Sequence, residues 1–125
     1  KLSADINFLQ LDILDKNNWP ALPTVDLIIS NPPYIPEQDM TSMDPNILQY
    51  EPHTALFVPD NNALVFYEAI ADLGKTKLNK GGLLFFEIHE DLGKTVTDLL
   101  EKEGYSCEIK KDMQGKDRMV MARRV

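Results

Sequence analysis

The sequence predicts an α/β domain with parallel strands that closes on an antiparallel hairpin. Two observations predict it. Short apolar runs, Val25 to Ile29 and Leu83 to Ile88, alternate with stretches whose apolar residues recur at helical spacing, the order that builds parallel strands with helical crossovers. The end of the chain, Tyr105 to Arg124, instead reads as two strands around a polar turn, Asp112 to Lys116, which is a hairpin pattern.

The elements follow in order. Ile6 to Gln10 reads as a short buried strand from its β-branched and aromatic content, followed by Leu11 to Leu14 and a polar turn at Asp15 to Asn18. Val25 to Ile29 is a near-continuous apolar run, the mark of a strand covered on both faces. Residues 35 to 59 form a long connection containing Pro36, Pro45, Pro52 and Pro59. Such a connection in a compact domain is usually functional, and Met40, Met43, Ile47 and Leu48 suit it to cover a pocket as a lid. Asp60-Asn61-Asn62 supplies a helix N-cap, and Ala63, Phe66, Tyr67, Ile70 and Leu73 continue at helical spacing. Phe66 and Tyr67 read as core. Gly74 lies inside that helix at a cost of ~1 kcal/mol, and Lys80-Gly81-Gly82 is expected to end it. Leu83 to Ile88 is a buried strand with Glu87 at its carboxyl end. Asp91 is expected to cap a second helix with Leu92, Val96, Leu99 and Leu100 as its buried stripe and Gly104 as its stop. In the hairpin, Cys107 shares a face with Ile109. Met119 and Met121 lie on one face of the last strand, Val120 and Ala122 on the other.

Composition narrows the class. The 125 residues suffice for one domain, residues 1–125, and 43% hydrophobic with 26% charged residues is ordinary for a globular protein. No apolar run approaches the ~18 residues of a membrane helix, and no signal peptide is visible. The chain opens at Lys1 without an initiator Met, which reads as a piece of a longer protein. Cys107 is the single cysteine, so no internal disulfide forms, in keeping with a reducing cytoplasm. It reads as a small core residue rather than a nucleophile. The net charge of −7 is unlike the basic footprint of most nucleic-acid enzymes. The clustered cations, Lys110, Lys111, Lys116, Arg118, Arg123 and Arg124, fall in the last strands. His53 reads as a loop residue, with no metal-ligand spacing near it.

The stretch that points to chemistry is Ser30-Asn31-Pro32-Pro33-Tyr34, directly after the Val25 strand. The prolines fix φ and carry no N–H, so the segment continues neither as a central strand nor as a helix. The residue before each proline is driven to extended geometry, which fixes Asn31 and Pro32 alike. The result is a stiff loop at the carboxyl end of a strand, the edge where open α/β sheets bind ligands.

Asn31-Pro32-Pro33-Tyr34 after Leu27-Ile28-Ile29 resembles the signature of S-adenosylmethionine-dependent methyltransferases that modify a planar nitrogen. Tyr50-Glu51-Pro52 with Ala55-Leu56, Gly81-Gly82 before Leu83 to Ile88, and Asp117-Arg118-Met119-Val120 resemble segments of the HemK family, which methylates glutamine in peptide-chain release factors. The resemblance runs from about Ile6 to Arg124. It implies a Rossmann-like methyltransferase fold, truncated: the first half of the sheet and its glycine-rich loop are missing, because Gly81-Gly82 precedes a strand whereas a cofactor loop follows one. It implies S-adenosylmethionine as cofactor, with Asp12, Ile13 and Asn31 against it. Asp12 reads equally as a turn residue bonding its own backbone, and Ile13 stands where the family often has an aromatic ring. It implies substrate binding by Asn31, Pro32, Pro33, Tyr34 and Glu51, with no metal.

An amide nitrogen is a poor nucleophile, because its lone pair is delocalised into the carbonyl. Asn31 Oδ1 and the Pro32 carbonyl can each accept one substrate N–H, fixing the amide plane and directing electron density onto nitrogen. Tyr34 can stack on the amide near the sulfonium. Orientation of this kind contributes roughly 7–11 kcal/mol in favourable cases. No general base is required, since an N-methylated amide nitrogen is strongly acidic.

The resulting expectation is a release-factor glutamine N5-methyltransferase, cytoplasmic, with a release factor as protein partner and neither nucleic acid nor membrane. Two other readings stand beside it: an adenine or cytosine amino-methyltransferase of nucleic acid using the same loop, and a non-catalytic piece that keeps the fold without cofactor. In the family the absent strands lie between the Ile6 and Val25 strands, which leaves the Val25 strand with an open edge exposing Leu27 and Ile29. Either the Ile6 strand shifts to pair with it directly, the favoured repair, or a second copy covers it as a homodimer.

Overall fold

The computed structural model describes residues 5–33 and 63–125, the two-residue strands 35–36 and 57–58, and the single positions 45 and 52. The elements are β1 (Val25–Ser30), β2 (Ile35–Pro36), β3 (Phe57–Val58), α1 (Val65–Lys77), β4 (Leu78–Glu87), α2 (Gly93–Lys102), β5 (Tyr105–Lys111) and β6 (Asp117–Arg124). Short 3-10 turns at Lys16–Ala21 and Glu90–Leu92 join them. The main sheet has the order β1-β4-β6-β5. β1 runs parallel to β4, and β6 runs antiparallel to both β4 and β5. The hairpin therefore folds back to insert its second strand beside β4.

Period two along the strands sorts the side chains onto two faces. Leu84 and Phe86 of β4, and Ile88 just after it, share a face with Val120 and Ala122 of β6, and all five are fully buried. Tyr67, Ile70 and Ala71 of α1 and Val96 and Leu100 of α2 pack on that same face, forming one continuous core. Leu27 and Ile29 of β1, Leu83 and Phe85 of β4, and Met119 and Met121 of β6 lie on the other face by register. Ile29 is 72% exposed. The apolar run of β1 thus predicts two covered faces, and among the described residues both helices lie on one.

Four expectations are corrected. Residues 6–10 are not a strand: Phe8 is 91% exposed and Ile6 69%. β1 has β4 beside it and is not paired with residues 6–10, so the direct repair of its edge does not occur. The physical reason is that a strand needs a neighbour in register, and local β propensity does not supply one. Lys80-Gly81-Gly82 does not end α1, which stops at Lys77 and passes straight into β4. The glycines instead sit where pairing slips from Val25–Leu78 to Leu27–Leu83, with Gly81 at φ 79°. They serve as the pivot of a bulge. Asp91 does not cap α2; it lies within the 3-10 turn, where its N–H donates to His89 Nδ1 at 3.1 Å.

The expected cap of α1 at Asp60-Asn61-Asn62 falls outside the described residues. Gly74 has a packing reason: a methyl group there would collide with the Tyr105 hydroxyl, which donates to the Ala71 carbonyl at 2.7 Å. Gly104, at φ 98°, ends α2 in left-handed geometry as its position predicts.

Candidate functional site

β1 delivers the Asn-Pro-Pro stretch to the carboxyl edge of the parallel pair. Ser30 stands beside Phe86, so the residues that follow each, Asn31 and Glu87, end the two strands as neighbours. Asn31 is exposed, Pro32 is buried and Pro33 is half-buried. This places a polar side chain at the surface with a stiff, partly sunk proline behind it. Tyr34 and Glu51, the other two substrate candidates, lie outside the described residues, as do Met40, Met43, Ile47, Leu48 and His53.

β2 and β3 fix where the long connection begins and returns. Ile35 pairs with Phe57 and Pro36 with Val58 in a parallel ladder. The segment between them therefore leaves and rejoins the fold at one place, immediately after the motif.

Asp12 and Ile13 serve the local fold. One Asp12 carboxylate oxygen accepts the Leu14 N–H at 2.9 Å, and its carbonyl accepts from Asn18 Nδ2 at 3.0 Å. This is the turn role weighed against cofactor contact in the sequence. Ile13 is half-buried and packs against the core, and its carbonyl accepts the Trp19 indole N–H at 2.9 Å. The segment is tied to α1 by Lys16 to Asp72 at 2.6 Å and by Lys77 to the Leu22 carbonyl at 2.7 Å.

Tyr67 meets the end of β4 and was read from sequence as core alone. It is fully buried, its ring meets Phe86 edge-on at 5.0 Å, and its hydroxyl donates to the Glu87 carbonyl at 2.9 Å. Helical spacing places it on the apolar stripe, and no local motif signals the bond to residue 87.

The cations of the hairpin are engaged. Lys110 meets Glu108 at 3.1 Å, Lys111 meets Asp117 at 2.8 Å, Lys116 meets Glu90 at 3.0 Å and Arg118 meets Asp112 at 3.2 Å. Arg123 donates to the Gly81 carbonyl and Arg124 to the Leu78 carbonyl. The Lys116 backbone N–H, with Arg118 adding to it, holds the Asp112 carboxyl below its usual range. Burial pushes the Cys107 thiol up to about 11, which fits a packed cysteine and not a nucleophile. Among the described residues no group of side chains could hold a metal ion. Among the same residues, no helix is long and apolar enough to cross a membrane.

No protein-family model matches the chain. Over 99% of its length it is 39% identical to a release factor glutamine methyltransferase of Bacteroides thetaiotaomicron, covering 45% of that protein. Over 94% of its length it is 42% identical to a release factor glutamine methyltransferase of Flavobacterium psychrophilum, covering 41%. The chain spans less than half the length of these relatives. A solved protein-(glutamine-N5) methyltransferase (release factor-specific) from Alicyclobacillus acidocaldarius superposes on 86% of the chain with a TM-score of 0.54 at 22% identity. The chain covers 53% of that structure, a likeness that establishes the Rossmann-like methyltransferase architecture as part of a larger fold.

Proposed function

We infer that the chain is part of a release factor glutamine methyltransferase, and we propose that residues 1–125 carry the loop that orients the glutamine side chain in that enzyme. The similarity to such enzymes along nearly the whole chain supports the family. The single observation that carries the role is the stiff Asn31-Pro32-Pro33 stretch ending β1, with exposed Asn31 beside the end of β4.

In this reading Asn31 Oδ1 and the Pro32 carbonyl accept the two N–H groups of the glutamine amide. Tyr34 and Pro33 hold its plane, and Glu51 braces the loop. A carboxamide offers two in-plane donors, and two acceptors fixed by proline geometry match them with little motion left to freeze. The gain is one of orientation.

The methyl group is supplied by S-adenosylmethionine. The described residues do not form its grip. Gly81 lies in a strand bulge, Gly104 ends a helix and Gly115 turns a hairpin. None of these three stands between a strand end and a following helix, where a glycine loop lets backbone approach a cofactor; Gly93, which opens α2, is closed in by the Asp117 carboxylate. The Asp12 and Ile13 contacts with adenine remain part of the proposal. The rest of the enzyme has to bring the cofactor.

The protein partner in this reading is a release factor, met in the cytoplasm. The engaged state of the hairpin cations argues against a nucleic-acid substrate, since phosphate binding needs available positive charge. The open edge of β1 would receive a strand from the remaining length of the enzyme or from a second copy.

The test is a chimera that joins this chain to the remaining length of the Bacteroides thetaiotaomicron relative. Incubated with S-adenosylmethionine and a release factor, it is expected to add one methyl group to a glutamine, located by peptide mass spectrometry. Methylation of DNA or RNA in place of the release factor would select the nucleic-acid reading. A chimera that neither binds the cofactor nor transfers a methyl group would select the non-catalytic one.

A further inference from the structure

Resting on the proposed role of the Asn31 loop, we infer that Tyr67 is a positioning residue for it: its hydroxyl takes the place of the N–H that Pro32 lacks. The argument starts from the ladder. In an antiparallel pair successive residues turn their N–H and C=O groups alternately toward and away from the partner strand. Ile88 turns toward β6, since its N–H donates to the Arg118 carbonyl at 2.9 Å. Glu87, one residue earlier, therefore turns toward β1.

The β1–β4 register fixes what Glu87 meets there. With Ser30 beside Phe86, the parallel pattern directs the Glu87 N–H to the Ser30 carbonyl. It directs the Glu87 carbonyl to the N–H of residue 32. Residue 32 is proline and has no N–H. At that rung the Tyr67 hydroxyl donates instead, at 2.9 Å. It reaches the rung from α1, with its ring held edge-on against Phe86.

The consequence concerns the site. Proline releases the motif loop from the sheet at residue 32, which leaves the Asn31 side chain and the Pro32 carbonyl to face the substrate. The same release ends the ladder directly behind the loop. A carbonyl acceptor at Glu87 without the phenol would compete for the amide donors that Asn31 and Pro32 are to accept. Tyr67 closes the sheet behind the divergence and keeps that acceptor occupied.

The test uses Tyr67→Phe, which keeps the ring against Phe86 and removes only the hydroxyl. Tyr105→Phe is the control, because it removes a comparable buried hydroxyl, bonded to the Ala71 carbonyl, away from the motif. In the 125-residue chain, hydrogen exchange of the Glu87 amide is expected to quicken about tenfold in Tyr67→Phe. The amides of Val120 and Ala122 should keep their rates. In the chimera, Tyr67→Phe is expected to lower kcat about tenfold without changing KM for the cofactor, and Tyr105→Phe to leave kcat as it was. Unchanged Glu87 exchange, or an unchanged kcat, would overturn the inference, and so would equal effects from the control. A chimera that transfers no methyl group would end the proposed function, and the exchange result would still decide whether Tyr67 holds the rung.

Discussion

The two faces of the sheet carry similar side chains and have opposite fates. One face sets Leu84, Phe86, Ile88, Val120 and Ala122 under α1 and α2, all fully buried. The other sets Leu27, Ile29, Leu83, Phe85, Met119 and Met121 in the same register, with Leu27 47% and Ile29 72% exposed. Apolar patterning states that a face is built to be covered and does not state by what. A parallel pair such as β1–β4 is normally covered on both sides. The open face is therefore the part of the structure that neither helix covers, in a chain that spans less than half the length of the relatives it matches.

The difference can be measured, and the largest effect belongs to the covered face. Phe86→Ala should cost about 3–5 kcal/mol in chemical denaturation, whereas Ile29→Ala should stay within about 0.5 kcal/mol. Equal costs would mean that the open face is covered in solution.

Tyr105 sharpens the comparison from the far end of the covered face. Burial pushes its phenol up to about 12 from 10.0. The raised value favours the neutral form, so its share of stability is fully present below pH 10 and is lost as pH rises toward 12. Tyr105→Phe should remove this alkaline loss and cost about 1 kcal/mol at neutral pH through the missing bond to Ala71. A denaturation series across that range checks both, and an unchanged alkaline profile would refute the assignment.

A small effect on stability, again on the open face, should be the most visible in solution behaviour. Replacing Leu27 and Ile29 together by Ser should leave stability within about 1 kcal/mol. It should also weaken concentration-dependent association in sedimentation velocity, because an open apolar edge invites pairing. Association at undiminished strength would place the sticky surface elsewhere.

The same contrast explains how much could be read from the sequence. β5 and β6 occupy Tyr105–Lys111 and Asp117–Arg124 as read, because a hairpin is specified by neighbours in the chain. β1 was legible from its apolar run and from the prolines that end it, and so was the exposed pair Leu27 and Ile29. Residues 6–10 were not, since their β propensity needs a distant strand to realise it. Gly81-Gly82 looked like a helix stop, yet the bulge they form exists only relative to β1. At the site, the placement of Asn31 and Pro32 at the carboxyl end of a strand followed from proline stereochemistry. The contribution of Tyr67 did not, because it depends on which way the Glu87 carbonyl points, and that is decided by the ladder to β6.

The most direct measurement of the central claim is methyl transfer by the chimera carrying Asn31→Ala. In the proposed role Asn31 supplies the side-chain acceptor of the stiff loop, so its removal should reduce glutamine methylation of a release factor at least ~100-fold, as loss of one preorganised polar partner does elsewhere. Cofactor affinity, followed by calorimetry on the same variant, should stay within about threefold of the unaltered chimera, since in this account the loop holds the amide and the rest of the enzyme holds the cofactor. Near-normal turnover on the release factor would contradict the account.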